Sequence, residues 1–193
     1  WRTTLESRGA LDTHGRLHGD VVLVGRGDPN LSNRKFPYDN KAERDGPPEK
    51  VLAELADQLV AHGIKQIEGD IVADDSYFPA ERYASGWAID DMTFGYGAPV
   101  SALTVNDNTL VIELRPADRE GDLAWFGVEP WAEFYEFVNE VRTAAASSKA
   151  GVSAEREPGS RRVILRGSLA LGAEPRRVTL AVEEPAEFSA ALL

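Results

Sequence analysis

The chain contains no cysteine. Disulfides, cysteine nucleophiles and thiolate metal sites are excluded together by that one absence. Histidine is scarce too: His14, His18 and His62 are the only three copies. His14 and His18 stand at His-x-x-x-His spacing, but they fall in a turn and at the start of a strand, where that spacing does not put two imidazoles on one helix face around a metal. No metal and no cofactor is expected. No apolar run approaches the roughly 18 residues a membrane span requires. Basic residues are outnumbered, 21 Lys and Arg against 32 Asp and Glu, which leaves a net charge of -11. Such a surface repels phosphate backbones and anionic lipid headgroups, so nucleic acid is not an expected partner. Internal repeats and low-complexity tracts are also missing.

What is present is ordinary for a globular protein: 42% apolar and 27% charged residues in a length of 193. That is enough for one large domain or two small ones with proper cores. The chain opens on Trp1, without an initiating Met or a leader pattern, and closes on the apolar Phe188-Ser-Ala-Ala-Leu-Leu193. Both ends read as cuts in a longer protein.

Periodicity divides the chain into strands and helices. Trp1 to Glu6 and Leu17 to Val24 read as strands, the second with the β-branched run of a buried one. Gly25-Arg-Gly-Asp-Pro-Asn30 is a dense turn signal, and Ser32 to Pro48 reads as a loop. Glu49 to His62 is the clearest helix, with Val51, Leu52, Leu55, Leu59 and Val60 at helical spacing and Gly63 as the stop. Ile64 to Asp74 follows as a strand, so strand, loop, helix and strand resemble a βαβ crossover. Irregular structure is expected from Asp74 to Pro99, then a strand over Asn108 to Leu114. A second helix is expected over Pro130 to Thr143, from the spacing of Trp131, Phe134, Phe137, Val138 and Val141. Val152 to Glu155, Arg162 to Gly167 and Arg177 to Val182 read as short strands, the last two joined by a hairpin loop. Pro185 opens a final helix.

Four patterns invite chemistry. Gly25-Arg-Gly27 follows a strand as a dinucleotide fingerprint would, but Asp28 and Pro29 stand where a third glycine should open a helix onto the pyrophosphate. A tight structural turn is the better reading. Ser32-Asn-Arg-Lys35 satisfies Ser-x-x-Lys and Lys149-Ala-Gly151 approaches Lys-Thr-Gly, two signatures of penicillin-recognising serine enzymes. Ser32, however, is followed by Phe36, Pro37 and a charged loop rather than a buried helix. Ser-x-Asn, the third signature, occurs nowhere. No catalytic residue is assigned. Of the carboxylate pairs, Asp74–Asp75 and Glu183–Glu184 read as solvated surface or turn caps. Asp90–Asp91 differs, because Trp87, Met92, Phe94 and Tyr96 surround it in sequence. A carboxylate among aromatics suits capture of an ammonium group by charge-assisted hydrogen bonding and cation–π contact.

Many segments occur together, in order, in one family. They are Trp1-Arg-Thr-Thr-Leu5, Leu17-His-Gly-Asp-Val-Val-Leu-Val24, Gly27-Asp-Pro-Asn-Leu31, and Ile67-Glu-Gly-Asp-Ile71 running into Asp74-Asp-Ser-Tyr-Phe78. Gly86-Trp87, Asp91-Met-Thr93, Tyr96-Gly-Ala-Pro99, Ser101-Ala-Leu103, Asn106-Asp-Asn108, Arg166-Gly167 and Ala181-Val182 with Pro185 continue the series. Over nearly its whole length the chain resembles the class C penicillin-binding proteins, the D-alanyl-D-alanine carboxypeptidase/endopeptidase family. The resemblance implies an accessory insert, placed between the Ser-x-x-Lys helix and the Ser-x-Asn motif of a serine-type parent enzyme in the periplasm or outside the cell.

The implied fold is mixed α/β (α+β) with two nested lobes. Residues 1–26 and 97–193 would form a discontinuous strand-rich lobe, interrupted by a smaller βαβ-like lobe over residues 27–96. The resemblance further implies that Asp91 and Tyr96 project toward the parent's active site and contact the amino-bearing end of the diaminopimelate side chain in the peptidoglycan stem peptide. Asp90 stands one position before Asp91, and Phe94 is a second aromatic available for the same role. The insert itself would be inactive without the catalytic domain. From a different class, the alternative is a stand-alone envelope binding or scaffold module without enzymatic activity.

Overall fold

A computed structural model describes residues 2–29, 31–35, 44 and 46–193. Trp1 and Asn30, and residues 36–43 and 45 of the expected loop, lie outside the described residues. The architecture is mixed α+β, as expected, and divides into two compact units. The first comprises Trp1–Trp87, Pro99–Asn108 and Glu184–Leu193; the second comprises Ala88–Ala98 and Thr109–Glu183.

The first unit is built on a four-stranded sheet. Strand β1 (Thr4–Leu11) pairs antiparallel with β2 (Arg16–Val24), Thr4 facing Val24 and Leu11 facing Leu17. The first strand thus runs past the expected Glu6, through Gly9 to Leu11. Asp12 then closes the hairpin, its carboxylate accepting from the backbone N–H groups of His14 at 2.8 Å and Arg16 at 2.9 Å.

After the loop comes helix α1 (Lys50–Ala61), and the chain returns as β3 (Gln66–Ile67) and β4 (Ile71–Asp74), both parallel to β2. The βαβ pattern is realised, but the return strand is broken. At the break the Asp20 carboxylate accepts from the Asp70 N–H at 2.9 Å, taking that donor out of the ladder. The amphipathic spacing of α1 turns Leu52 inward, where it is fully buried with Leu23, Leu31, Leu103 and Val105. Helix α2 (Pro185–Leu192) packs on β4, with Pro185 in its first turn and Phe188 buried.

The second unit contains two sheets. One is antiparallel, in the order β11 (Arg176–Ala181), β5 (Thr109–Arg115), β6 (Trp125–Glu129). Leu110, Ile112 and Leu114 of β5 are buried while the alternate residues face outward, the period-2 pattern of a sheet with one dry face. In the other sheet β10 (Arg162–Ala170) is central. It pairs in parallel with β7 (Glu136–Asn139) and β8 (Arg142–Ala144), and antiparallel with β9 (Gly151–Glu155).

Two expectations fail in this unit, and one strand is unforeseen. The helix expected over Pro130 to Thr143 does not form: residues 130–135 are turn and irregular structure, and β7 and β8 follow. Their register with β10 takes the backbone bonds, and Asn139 makes the break between them: its side chain donates to the Ala124 carbonyl at 2.7 Å and accepts from the Val141 N–H at 3.0 Å. Strand β6 goes unread in the sequence. β10 and β11 form no hairpin with each other, because β11 pairs with β5 in the other sheet.

The expected division at residues 26/27 and 96/97 also differs from the one the contacts make. β2 shares a sheet with β3 and β4, so residues 16–24 and 66–74 belong to one unit. That βαβ-bearing unit holds both ends of the chain, and the strand-rich unit interrupts it.

The segment Asn106–Asn108, which leads into β5, has three successive residues in the left-handed region, with φ of 52, 57 and 54°. Asn and Asp tolerate that region best among residues with a Cβ. The turn is tied down by Asn108, which donates to the Pro99 carbonyl at 2.9 Å, and by the Arg34–Asp107 ion pair.

Candidate functional site

The segment Ala88–Ala98 belongs to the second unit and is held by its own backbone and by β11. Asp91 N–H donates to the Ala88 carbonyl at 3.1 Å and Phe94 N–H to the Asp91 carbonyl at 3.0 Å. Thr93 and Phe94 then lie along the free edge of β11: Ala181 N–H donates to the Thr93 carbonyl at 2.9 Å, and Phe94 bridges Leu180. A short 3-10 turn, Gly95–Gly97, closes the loop. Gly97 has a steric reason to be there. A Cβ on it would lie 2.1 Å from the Asp91 carbonyl oxygen, so only glycine lets the loop fold back this tightly.

The fold-back brings the two predicted residues together. Tyr96 Oη donates to Asp91 Oδ1 at 2.9 Å. That hydrogen bond, then desolvation and the negative charges of Asp91 and Asp90, hold the phenol's pKa above the ordinary tyrosine value. Tyr96 therefore stays a neutral donor. Its ring stacks on Phe94 with centroids 5.5 Å apart and planes 8° from parallel, yet it remains 73% exposed. The loop thus presents a half-buried carboxylate beside a fixed pair of aromatic rings. An incoming ammonium finds full negative charge and electron-rich ring faces in one place. Phe94, noted in the sequence as a second aromatic, serves as the stacking partner. Trp87 packs edge-on against Tyr83 at 6.0 Å. The part played by Gly95 and Gly97 goes unread in the sequence, where only the Gly-Tyr-Gly spacing signals a tight turn.

The other candidates have structural partners. Ser32 is buried and its hydroxyl donates to the Thr104 carbonyl at 3.3 Å, while its own carbonyl accepts from Arg44 Nε at 3.1 Å. No helix runs from Ser32 to Lys35, and Lys35 is exposed. The one-turn geometry by which a lysine eases removal of a serine proton is missing there. Lys149 lies in an exposed turn before β9.

Asp74 accepts from both the hydroxyl and the N–H of Ser76, which hold its pKa below the usual carboxylate value, and Asp75 accepts from Ser101 at 3.0 Å. Glu183 accepts from the Gly159 N–H at 2.7 Å and faces the buried Arg156 at 3.6 Å, and Glu184 pairs with Arg82. His18 sits between Glu68 at 2.8 Å and Asp12 at 3.5 Å, and His62 Nδ1 is 2.7 Å from the Gln58 carbonyl. Among the described residues no group of three His, Asp or Glu side chains is arranged to hold a metal. Nor, among them, is any helix long and apolar enough to cross a membrane. Gly25 and Gly27 donate their N–H groups to the Asp74 and Ala102 carbonyls at 2.8 and 2.9 Å, and among the described residues that follow them no helix opens before α1.

Comparison with known proteins gives a consistent result. The D-Ala-D-Ala carboxypeptidase 3 (S13) family matches over residues 1–193. A D-alanyl-D-alanine carboxypeptidase from Actinomadura sp. (strain R39) is 30% identical over 176 residues, covering 88% of this chain and 30% of that protein. The D-alanyl-D-alanine carboxypeptidase DacB of Haemophilus influenzae is 30% identical over 128 residues, 66% of this chain and 23% of that one. The chain thus spans about a third or less of the length of these relatives. Among solved structures, penicillin binding protein 4 (dacB) from H. influenzae superposes with a TM-score of 0.71 at 24% identity, covering 98% of this chain and 38% of that one. The same protein complexed with a β-lactam gives 0.60 at 20% identity. At these identities the structural likeness speaks for the fold.

Proposed function

Because the chain belongs to the D-Ala-D-Ala carboxypeptidase 3 (S13) family, we propose that it is the accessory part of a serine-type D-Ala-D-Ala carboxypeptidase/endopeptidase of the cell envelope, and that it holds the peptidoglycan stem peptide through Asp91 and Tyr96 while the catalytic serine lies elsewhere in the protein. The observation that carries this reading is the Asp91–Tyr96 pair itself. A loop folded on a glycine and anchored to β11 keeps a carboxylate and two stacked rings in place before any ligand arrives. Pre-organisation of this kind lowers the ordering cost of binding. Asp91 takes the side-chain ammonium of the stem, and the Phe94–Tyr96 stack lies against its methylene arm. The use of Ser32 Oγ on a backbone carbonyl supports placing the nucleophile outside this chain.

The test uses the full-length protein. Asp91→Asn keeps the shape and the Tyr96 partner but removes the charge. For a stem peptide bearing a free side-chain amine, kcat/KM is expected to fall about tenfold, or ~1.4 kcal/mol. For the same peptide with the amine replaced by hydrogen, it is expected to be unchanged. Equal losses on both peptides would remove Asp91 from amine recognition. Labelled penicillin should acylate the full-length protein at a serine outside these residues. An adduct mapped to Ser32 would overturn the assignment.

A further inference from the structure

The outward face of the antiparallel sheet continues from the Asp91–Tyr96 loop. Strand alternation puts Thr109, Val111, Glu113 and Arg115 of β5 on that face, with Thr179 and Arg177 of β11 and Trp125, Gly127 and Glu129 of β6. Gly95 lies on one end of it, where a Cβ would approach Thr179 Cγ2 to 2.6 Å and Thr109 Cγ2 to 3.3 Å. Arg177 stands two residues before Thr179, about 7 Å along the strand, and Arg115 lies another two positions on, about 13 Å from the level of Thr179. Those are the distances of two and four residues of an extended peptide.

At the far end stands a cluster that a merely solvated sheet face does not need. Glu113 accepts from Arg115 Nε at 2.8 Å and from Arg177 Nε at 2.9 Å, so one carboxylate holds two guanidiniums. Each also brings its Nη2 against Glu113, and the side chains of Arg115 and Arg177 are 57% and 72% exposed. Trp125 lies beside them, with the Arg115 guanidinium 4.9 Å from its ring centroid. The ring leans over Gly127, where any Cβ would meet it at 2.6 Å, so the glycine makes room for an indole laid along the sheet. Trp125 nonetheless stays 53% exposed. On a chain of net charge -11, this is a local surplus of positive charge next to an open aromatic surface. Glu129, level with Val111, lies toward the Asp91 end. Charge along the face therefore runs from negative at the loop to positive at the cluster.

A zwitterionic, extended ligand matches that gradient. From it we infer that this sheet face is a second subsite for the same peptidoglycan ligand, in which Arg115 and Arg177 hold a stem carboxylate and Trp125 stacks on a sugar ring at the glycan end. The inference rests on the reading that Asp91 and Tyr96 receive the amine-bearing end of the stem. Two guanidiniums already oriented by Glu113 offer charge-assisted donors to a carboxylate at little ordering cost. The C–H face of a hexose meets an indole as apolar surface against an electron-rich ring, while the hydroxyls around it stay in water.

Calorimetric titration of the full-length protein with a disaccharide-tetrapeptide, and with the same tetrapeptide lacking the sugars, tests both halves. Trp125→Ala is expected to weaken the sugar-bearing ligand about tenfold and to leave the sugar-free peptide unchanged. Arg177→Gln is expected to weaken both about fivefold, since the carboxylate belongs to the peptide. Both side chains are exposed, and unchanged unfolding midpoints will confirm intact folds. Asp91→Asn, run in parallel, separates the two readings. Losses with Asp91→Asn but none with Trp125→Ala and Arg177→Gln would overturn this subsite alone. Losses with Trp125→Ala and Arg177→Gln but none with Asp91→Asn would overturn the amine site and leave the carboxylate and sugar subsite standing.

Discussion

The two units use their side chains differently. In the unit built on β1, β2 and α1, the large buried residues are mainly aliphatic: Leu23, Leu31, Leu52, Leu103 and Val105 fill one cluster, and Leu17, Val21 and Ile64 another, with Phe188 of α2 the buried aromatic. In the strand-rich unit, aliphatic positions such as Ile112 and Leu165 still line the sheets, but aromatics and charges take on more. Phe126, Trp131, Tyr135 and Phe137 form a ring cluster. Arg156 is buried over Tyr135, donating to its hydroxyl at 3.1 Å and to the Ala181 carbonyl at 2.6 Å. The first unit is held by non-directional burial, which tolerates adjustment. The second depends on directional contacts, which fix geometry and fail when one partner is lost. The carboxylate and rings at Asp91 and Tyr96 belong to the directional unit.

If that contrast is right, the largest loss of stability should follow from a polar truncation in the second unit. Arg156→Ala strips Glu183 and the Ala181 carbonyl of their buried donor and should cost about 4 kcal/mol. Chemical denaturation of both units would show it, and a cost below about 1 kcal/mol would erase the distinction. Leu52→Ala, in the aliphatic core, should cost about 3 kcal/mol through lost burial and an unfilled cavity. It should not alter ligand binding. Gly97→Ala is next, at about 2 kcal/mol of local strain, because the methyl group must push the Asp91 carbonyl away. Its signature is loss of stem binding with the global unfolding midpoint little changed. Gly151→Ala, which would meet nothing within 4 Å, is the control and should stay within about 0.5 kcal/mol of the parent.

The smallest effect is a titration. Tyr96 has a folded pKa above its unfolded value, so it binds its proton more tightly when folded. Its contribution to stability is then present below the unfolded pKa and fades as pH rises through the folded one. Asp91→Ala, which removes both the acceptor and the charge, should bring the Tyr96 titration, followed by the 13Cζ chemical shift, back toward the ordinary tyrosine value. An unmoved curve would mean that the hydrogen bond does not persist in solution.

The aliphatic unit was the more legible one from sequence. Its helix announces itself through Val51, Leu52, Leu55 and Leu59, and its strand through Val21 to Val24, because one period governs each and burial follows it. The second unit defeated the same reasoning between Pro130 and Thr143. Trp131, Phe134, Phe137, Val138 and Val141 repeat at helical intervals, yet the backbone of Glu136–Asn139 and Arg142–Ala144 pairs with β10, a partner more than twenty residues away that no local window contains. The same non-local pairing accounts for the difference between the expected lobes and the contact-based units, since β3 and β4 join β2 across the whole of α1. Of the candidate site, the sequence offers residue types and not geometry. Asp91 and Tyr96 can be named as candidates, through chemistry and family resemblance. The glycine fold-back, the Phe94 stack and the edge contact with β11 cannot, because each depends on where the chain returns to itself.

The turn at Asn106–Asn108 has a consequence for chemical synthesis. Three consecutive residues adopt the handedness that an L-residue resists and a D-residue prefers. A chain assembled by ligation with a D-amino acid at Asp107 would meet no backbone penalty there, whereas an L-alanine would. In a protein otherwise made wholly of left-handed building blocks, this is a place where the mirror-image monomer is the better fit.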